Sequence, residues 1–479
     1  MYKLRYEQWR TRLIAFLVCI PILQTLALPE MPGLNSDAAQ WGISAHDIIQ
    51  GVRAPIGGGV PYVGAVRIYL VAFCSLLMGF NRLSLELPFA IFNSLTVLFV
   101  YLLIRRLFSA AAGLFCVLVL SFSQWFVIRN IDNWYYFTAS LALLLIALNS
   151  TRTFVLAGVV FGLACYEHQL AAVICLAALV SWLICGRKYK AGVLCVLLTA
   201  VGCVIGFSPR LIYTLLSNTR VYVEPFNAPL QALSDARMFL PYFGGMINGT
   251  VIYLRNAGCV TCTVLPINSI IFIGAVCLLA ARGRERLYRG LLVFTLFLYL
   301  LPFFVIKYTA IRYFLSALFG TALITGLGIY ELSLRSKRAA AAILVLFCGV
   351  NIFYLSINFF IPFARTGGNC LLFRLGNLIE ASHHLVRTDI LYECLDKNVP
   401  VIVCPEPFIS RNIQFYDVTY GHFKTITDTI REDYDNFYFI DYARSKLGIK
   451  IDPRRFPAYQ IALECTELKN FAVYHFRKK

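Results

Sequence analysis

Eleven apolar runs of roughly membrane-crossing length, separated by short charged loops, constrain this chain more than any other feature in it. They lie at about 13–28, 87–104, 109–128, 134–149, 154–166, 169–185, 191–207, 263–281, 290–306, 313–331 and 339–360. Backbone placed in hydrocarbon has no water to satisfy its N–H and C=O groups, so runs of this kind fold as helices packed into a bundle. Only 14% of the 479 residues are charged and 59% are hydrophobic, which excludes a soluble globular domain, a disordered chain and a secreted disulfide scaffold. The 16 cysteines are scattered mostly through the apolar runs, where a thiol behaves as a small hydrophobe. Cys259-Val-Thr-Cys262 has no second pair or nearby histidine and reads as spacer rather than metal site.

The formal charge of +18 suggests nucleic acid until the charges are located. Residues 1–360 hold 27 basic and 11 acidic side chains, most of them in short loops, so the excess reports membrane orientation instead. The run Tyr62 to Phe80 decides the topology, because counting it as a span reverses everything after it. If it does not cross, the basic loops at Arg105-Arg106, Arg152, Arg187 to Lys190, Arg282 to Arg289 and Arg335 to Arg338 share a side with the basic N-terminus. That side then carries 17 basic and 3 acidic residues, against 10 and 8 on the other before residue 361. The positive-inside rule therefore makes 62–80 an interfacial or membrane-dipping helix in a long outer loop, about 29–86. A second long outer loop spans about 208–262, every inner loop is short, and chemistry is expected on the outer face.

Residues 361–479 hold 16 basic and 14 acidic side chains and are different in kind. Strand-like Val399 to Cys404 and Phe437 to Asp441, helix-like Asp389 to Lys397 and an alternating aromatic run from Phe471 to Phe476 predict a small α/β domain. The expected fold is thus an all-α polytopic membrane protein of about 11 transmembrane helices plus interfacial helices. A membrane module, 1–360, is followed by a C-terminal α/β domain, 361–479, on the outer face.

Carboxylates beside hydrocarbon are costly and tend to be functional. Asp37 follows the first span in Asn35-Ser36-Asp37-Ala38-Ala39-Gln40-Trp41, where a helix N-cap is its plainer role. Asp132 lies in the turn Arg129-Asn130-Ile131-Asp132-Asn133, which reaches the same outer face; an ordinary turn residue is the alternative. Two carboxylates facing an interfacial cavity suit base-assisted transfer, one taking the acceptor's proton and the other orienting it. Tyr166-Glu167-His168-Gln169 interrupts two apolar runs. Either it is merely their hairpin, or His168 donates to a phosphate with Glu167 setting its protonation. Lys307 and Arg312 flank an outer span junction against the positive-inside trend, as cations that meet a phosphate would. Arg210, Arg220, Arg237 and Arg255 lie among aromatics in the second outer loop, a pattern suited to an interfacial helix. No P-loop, dinucleotide fingerprint or HExxH motif is present.

In order along 10–330, these motifs resemble the polyprenyl-phosphate-sugar glycosyltransferases of the GT-C fold, which include protein O-mannosyltransferases and lipid A aminoarabinose transferases. Asp37 with Ser44-Ala45-His46-Asp47-Ile48-Ile49-Gln50-Gly51 resembles the family's first-loop acidic motif. Leu87-Pro88-Phe89-Ala90-Ile91-Phe92-Asn93 through Arg105-Arg106-Leu107-Phe108 is similar to its second-span signature. Arg129 and Asp132 resemble the Arg and Asp after the third span, and Arg312-Tyr313 a late outer motif. The first loop has Gly59-Val60-Pro61-Tyr62 where many members carry a His-Pro-Pro-Leu-like element. Glu86 stands where an Arg commonly precedes the Leu-Pro pair, with Arg82 a turn earlier as candidate substitute, and His168 stands where many have Lys.

The resemblance implies inverting transfer of a sugar from a polyprenyl-phosphate donor to a glycolipid, glycan or protein acceptor on the extracytoplasmic face. Asp37 is then the general base, with Asp132 beside it. His168, Lys307, Arg312 and Arg129 are the cations for the donor phosphate. No cofactor is expected; some relatives use a divalent metal, but Asp132-Asn133 lacks a second carboxylate. The expected partners are the lipid donor, the acceptor and the bilayer, in a bacterial inner membrane, with no nucleic acid. The rival readings are a transporter or flippase of a lipid-linked glycan, using the same cations, and a noncatalytic membrane scaffold.

Overall fold

The computed structural model describes residues 2–27, 36–52, 63–123, 126–127, 134–168, 170–185, 189–217, 267–282, 286–305, 315–356, 388–405, 407–420, 425–427, 434–442, 456–465 and 471–479. The helices are α1 (Tyr2–Ala27), α2 (Ser36–Ile49), α3 (Val66–Met78), α4 (Arg82–Leu107), α5 (Ala110–Phe122), α6 (Trp134–Leu148), α7 (Thr151–Glu167), α8 (Ala171–Cys185), α9 (Tyr189–Ser217), α10 (Ile267–Ala281), α11 (Arg286–Val305), α12 (Leu315–Arg335) and α13 (Lys337–Leu355). Each of the eleven apolar runs contains a helix, with described residues such as Ser109, Ser123, Asn149 and Leu170 lying at helix ends or turns. Among these, Glu7–Ala27, Arg82–Leu107, Gly192–Leu215 and Ser316–Arg335 are long and apolar enough to cross a membrane. The run 62–80 forms α3, whose 13 residues span about 20 Å, well short of the ~30 Å hydrocarbon core.

Local chemistry sets the helix ends. Ser109 Oγ accepts from Ala112 N at 3.1 Å and starts α5. Between α6 and α7, Asn149 takes the left-handed conformation at φ 58° that closes a helix C-terminus. Ser150 and Thr153 then form a reciprocal capping box, each side chain accepting from the other's backbone N–H. Asn81 and Ser84 make the equivalent start to α4, with Ser84 N donating to Asn81 Oδ1 at 2.9 Å.

Among the described residues, the tightest glycine contacts join α7 to α9. A Cβ built on Gly158 would lie 2.0 Å from Thr199 O, and one on Gly162 2.2 Å from Cys203 O. In return, a Cβ built on Gly202 or Gly206 of α9 would lie 2.1 Å from Val155 O or 2.2 Å from Val159 O. Two GxxxG pairs thus bring backbone against backbone, the packing that small residues allow where lipid tails leave little hydrophobic drive between helices. The other face of α9 exposes Leu194, Leu197, Val201, Val204 and Ile205, as a lipid-facing surface does.

The C-terminal region is α14 (Thr388–Cys394), β1 (Val401–Val403), α15 (Pro407–Tyr420), β2 (Thr425–Thr427), β3 (Asn436–Tyr442), β4 (Tyr459–Cys465) and β5 (Phe471–Lys478). The five strands form one sheet in the order β2-β1-β3-β5-β4. β1 pairs parallel with β2 and β3, while β5 pairs antiparallel with β3 and β4. α15 is the helical connection that two parallel strands need. Val401, Val403, Phe437, Phe439 and Phe476 form the sheet's buried core, with Phe437 and Phe476 stacked at 4.6 Å.

The chain divides into two compact units. One comprises Met1–Ala27, Pro55–Arg67 and Glu86–Tyr354; the other Leu28–Ala54, Ile68–Leu85 and Leu355–Lys479. Within the second unit, α2 lies along α15.

Candidate functional site

In the first unit, a buried charge pair forms where α7 ends. Glu167 is fully buried, and its carboxylate accepts from the Arg67 guanidinium and from Val66 N, the latter at 2.8 Å. Arg67 opens α3 a hundred residues earlier and is itself 5% exposed. The backbone closes round the pair: Gly64 N donates to Glu167 O at 2.9 Å, Ala65 N to the Tyr166 hydroxyl at 3.2 Å, and Val63 bridges His168 antiparallel. A Cβ on Gly64 would meet Tyr166 O at 2.7 Å, so this approach depends on glycine. The segment before α3 is therefore clasped to the α7–α8 turn by main-chain bonds and one desolvated ion pair. A pair this buried is retained at a desolvation cost, so it is a specific feature rather than a surplus one.

His168 caps α7 in extended conformation, its N–H donating to Ala164 O at 2.9 Å. Its Nδ1 accepts from Leu170 N at 3.3 Å, which in the neutral ring places the proton on Nε2. The ring stands edge-on to Tyr135, with centroids 5.6 Å apart. A half-buried imidazole with a fixed tautomer is a donor of set direction, as a phosphate oxygen requires. Arg210 on α9 is 6% exposed and within electrostatic reach of Tyr166. Glu86 and Arg82, on the first two turns of α4, are also buried, at 4% and 6%.

Of the residues singled out in the sequence, Glu167 and His168 fall within this clasp, and Glu86 and Arg82 are buried charges. α2 begins at Ser36, so Asp37 lies inside the first turn of the helix rather than at the N-cap position expected for it. Asp132, Arg129, Lys307 and Arg312 lie outside the described residues. Arg67 was not legible as a site residue, although a lone cation in Gly64-Ala65-Val66-Arg67-Ile68-Tyr69-Leu70 is the kind of charge that an apolar setting makes informative. Among the described residues no group of three or more His, Cys, Asp or Glu side chains is arranged to hold a metal. An apolar cavity lined by Leu103, Phe108, Ile146, Trp182, Leu291 and Phe294 lies within the same unit. It has no titratable lining and carries none of this chemistry.

A model of the dolichyl-phosphate-mannose-protein mannosyltransferase family matches residues 63–213. That segment begins at the Val63 bridge and contains Arg67, Glu86, Glu167, His168 and Arg210. No curated protein sequence matches the chain. Among solved structures, ArnT from Cupriavidus metallidurans bound to undecaprenyl phosphate is similar at a TM-score of 0.59, with 12% identity over 97% of this chain and 98% of that one. The same protein in the apo state gives 0.55 at 11% identity, with the same coverage. The oligosaccharyltransferase of Archaeoglobus fulgidus gives 0.49 at 12%, over 89% of this chain and 65% of that one. The fold is that of the ArnT-like GT-C proteins, carried over nearly the whole chain and including a small C-terminal sheet region, as the sequence motifs imply.

Proposed function

We propose that this integral membrane protein is a glycosyltransferase that moves a sugar from a polyprenyl-phosphate donor to an acceptor, with inversion. The observation that carries the reading is the coincidence of the family match over 63–213 with a buried Arg67–Glu167 clasp that fixes His168. ArnT-like architecture over 97% of the chain agrees with it. In the reaction the acceptor oxygen attacks the anomeric carbon, and the bond from that carbon to the phosphate oxygen breaks. The polyprenyl phosphate departs with the bonding electron pair. Asp37 takes the acceptor's proton, and Asp132 orients the acceptor. Negative charge grows on the leaving oxygen, and His168, Lys307, Arg312 and Arg129 supply the donors that stabilise it. These donors do the work a divalent ion would otherwise do, so the proposed reaction needs no added metal.

The same reading places the reaction on the extracytoplasmic face of a bacterial inner membrane. There the 1–360 module acts and the 361–479 domain assists acceptor recognition, as the distribution of basic loops supports. The test is transfer of labelled sugar from a panel of polyprenyl-phosphate sugars by purified protein in lipid, wild type beside Asp37→Asn. Labelled product from the wild type alone is the expected result. Donor binding without transfer to any acceptor extract would overturn it in favour of a carrier.

A further inference from the structure

We infer that the C-terminal domain positions the helix that carries Asp37, through the seating of Phe415 on Gly42. The inference rests on the reading of Asp37 as the base and extends it to a residue of α15. Along α2, Ala38, Ala39 and Ala45 are fully buried and Trp41 nearly so, a face of mostly small side chains at helical spacing. Gly42 lies on that face, and the Phe415 ring occupies the space its side chain would fill. A Cβ at 42 would be 2.5 Å from Phe415 Cε2 and 2.6 Å from Cδ2.

The ring is held from behind. Phe415 is 1% exposed and packs against Phe80 at 5.3 Å, and Phe80 meets the edge of His46, also at 5.3 Å. His46 lies one turn beyond Gly42, so α2 is gripped at two successive turns. α15 in turn belongs to the sheet: it connects β1 to β2, and Tyr392 of α14 donates to Asp417 at 3.1 Å. The order of the C-terminal sheet is thereby passed to α2. Asp37 is five residues from Gly42, about 7.5 Å along one helix, too short a distance for a shift to dissipate.

Carbon atoms in contact sit about 3.5–4.0 Å apart, so a methyl group on residue 42 must move the ring or the helix by about 1 Å. A displacement of that size at a reacting group costs up to about 100-fold in rate. The experiment is sugar transfer by Gly42→Ala, Phe415→Leu and the double variant, with Asp37→Asn in parallel and melting temperature measured for each. Gly42→Ala is expected to lower kcat by about 10- to 100-fold while leaving the donor KM within about threefold. The smaller leucine in the double variant returns kcat to within about threefold of wild type. Wild-type kcat in Gly42→Ala, or a double variant no faster than the single, overturns the coupling. A lowered melting temperature with kcat unchanged does the same, because it reduces Phe415 to packing. An Asp37→Asn protein that still transfers sugar overturns the base assignment instead, and the loss and rescue at residue 42 are read independently of it.

Discussion

Removing one member of the Arg67–Glu167 pair is expected to cost far more than removing both. Glu167 is fully buried and the Arg67 side chain is 6% exposed, so either charge left alone keeps its desolvation penalty without its partner. Glu167 also accepts from Val66 N at 2.8 Å, a charge-assisted bond that glutamine replaces with a neutral one. Breaking a buried pair from one side costs about 3–5 kcal/mol, while replacing both ions with apolar groups of similar volume is close to neutral or stabilising. Arg67→Met and Glu167→Leu should therefore each destabilise by about 3–5 kcal/mol, and the double variant by about 1–3 kcal/mol, the cost of leaving Val66 N without its acceptor. The backbone bonds from Gly64 and Ala65 survive in all three. The assay is a double-mutant cycle on thermal unfolding in lipid nanodiscs, followed by tryptophan fluorescence. The single variants are expected to melt on the order of 5–10 °C lower, and the double variant to lose far less than the sum of the two. Additive losses, or an Arg67→Met variant that melts normally, would refute the claim that these two charges are paired out of water.

Four further outcomes are expected. Asp37→Asn should lower kcat by about 10² to 10⁴ while donor binding, read by titration with the lipid phosphate, stays intact. His168→Ala should raise the donor KM, and His168→Lys should restore it in part, because a point cation can still meet a phosphate; steady-state transfer assays separate the two. Gly162→Leu drives a side chain into the Cys203 carbonyl and is expected to cost about 1–3 kcal/mol or more, seen as a lower melting temperature, whereas Leu197→Ala on the exposed face of α9 should cost little. In the C-terminal domain, burial pulls the Lys397 ammonium below the ordinary lysine range. The folded chain then releases that proton before the unfolded chain does, so stability rises as pH climbs toward the ordinary lysine value. Lys397→Met should flatten that rise in melts taken at a series of pH values approaching the ordinary lysine value from below.

The membrane helices were legible because hydrocarbon permits so few alternatives: each of the eleven apolar runs became a helix. Their ends were less so. α1 starts at Tyr2, well before its apolar run, because Lys3, Arg5, Glu7 and Gln8 are good helix formers that cost nothing at an aqueous end. α9 continues through Pro209 to Ser217, past the expected end at 207, carrying the buried Arg210 that a loop reading would leave in solvent. In the C-terminal domain, β1, β3, β5 and α14 follow the predicted segments. α15, the short β2 and β4 lie outside those segments; in α15, Ile-Gln-Phe-Tyr-Asp-Val-Thr-Tyr has the residues of a strand but is helical and packs on α2. The GxxxG pairs were written in the sequence at Gly158, Gly162, Gly202 and Gly206, but only the fold says which pair meets which. Arg67 is the instructive omission, because its partner is a hundred residues away and no local pattern connects them.

The charges that sequence and structure single out share a physical logic. A bilayer penalises every ionised side chain near its core, so those that persist there must be compensated by a partner or by a ligand. Glu167 is compensated within the protein, by Arg67 and by main-chain N–H groups, and it holds the backbone on which His168 stands. The charge distribution of the sequence assigns Lys307 and Arg312 to the side where the loops carry nearly equal numbers of acidic and basic residues, so the positive-inside trend does not account for them. A lipid phosphate is a ligand that would compensate them in the proposed reaction. On that argument the internal pair builds a rigid frame on which His168 stands, and in the proposed reaction Lys307 and Arg312 would meet a leaving group that becomes more negative as the sugar departs.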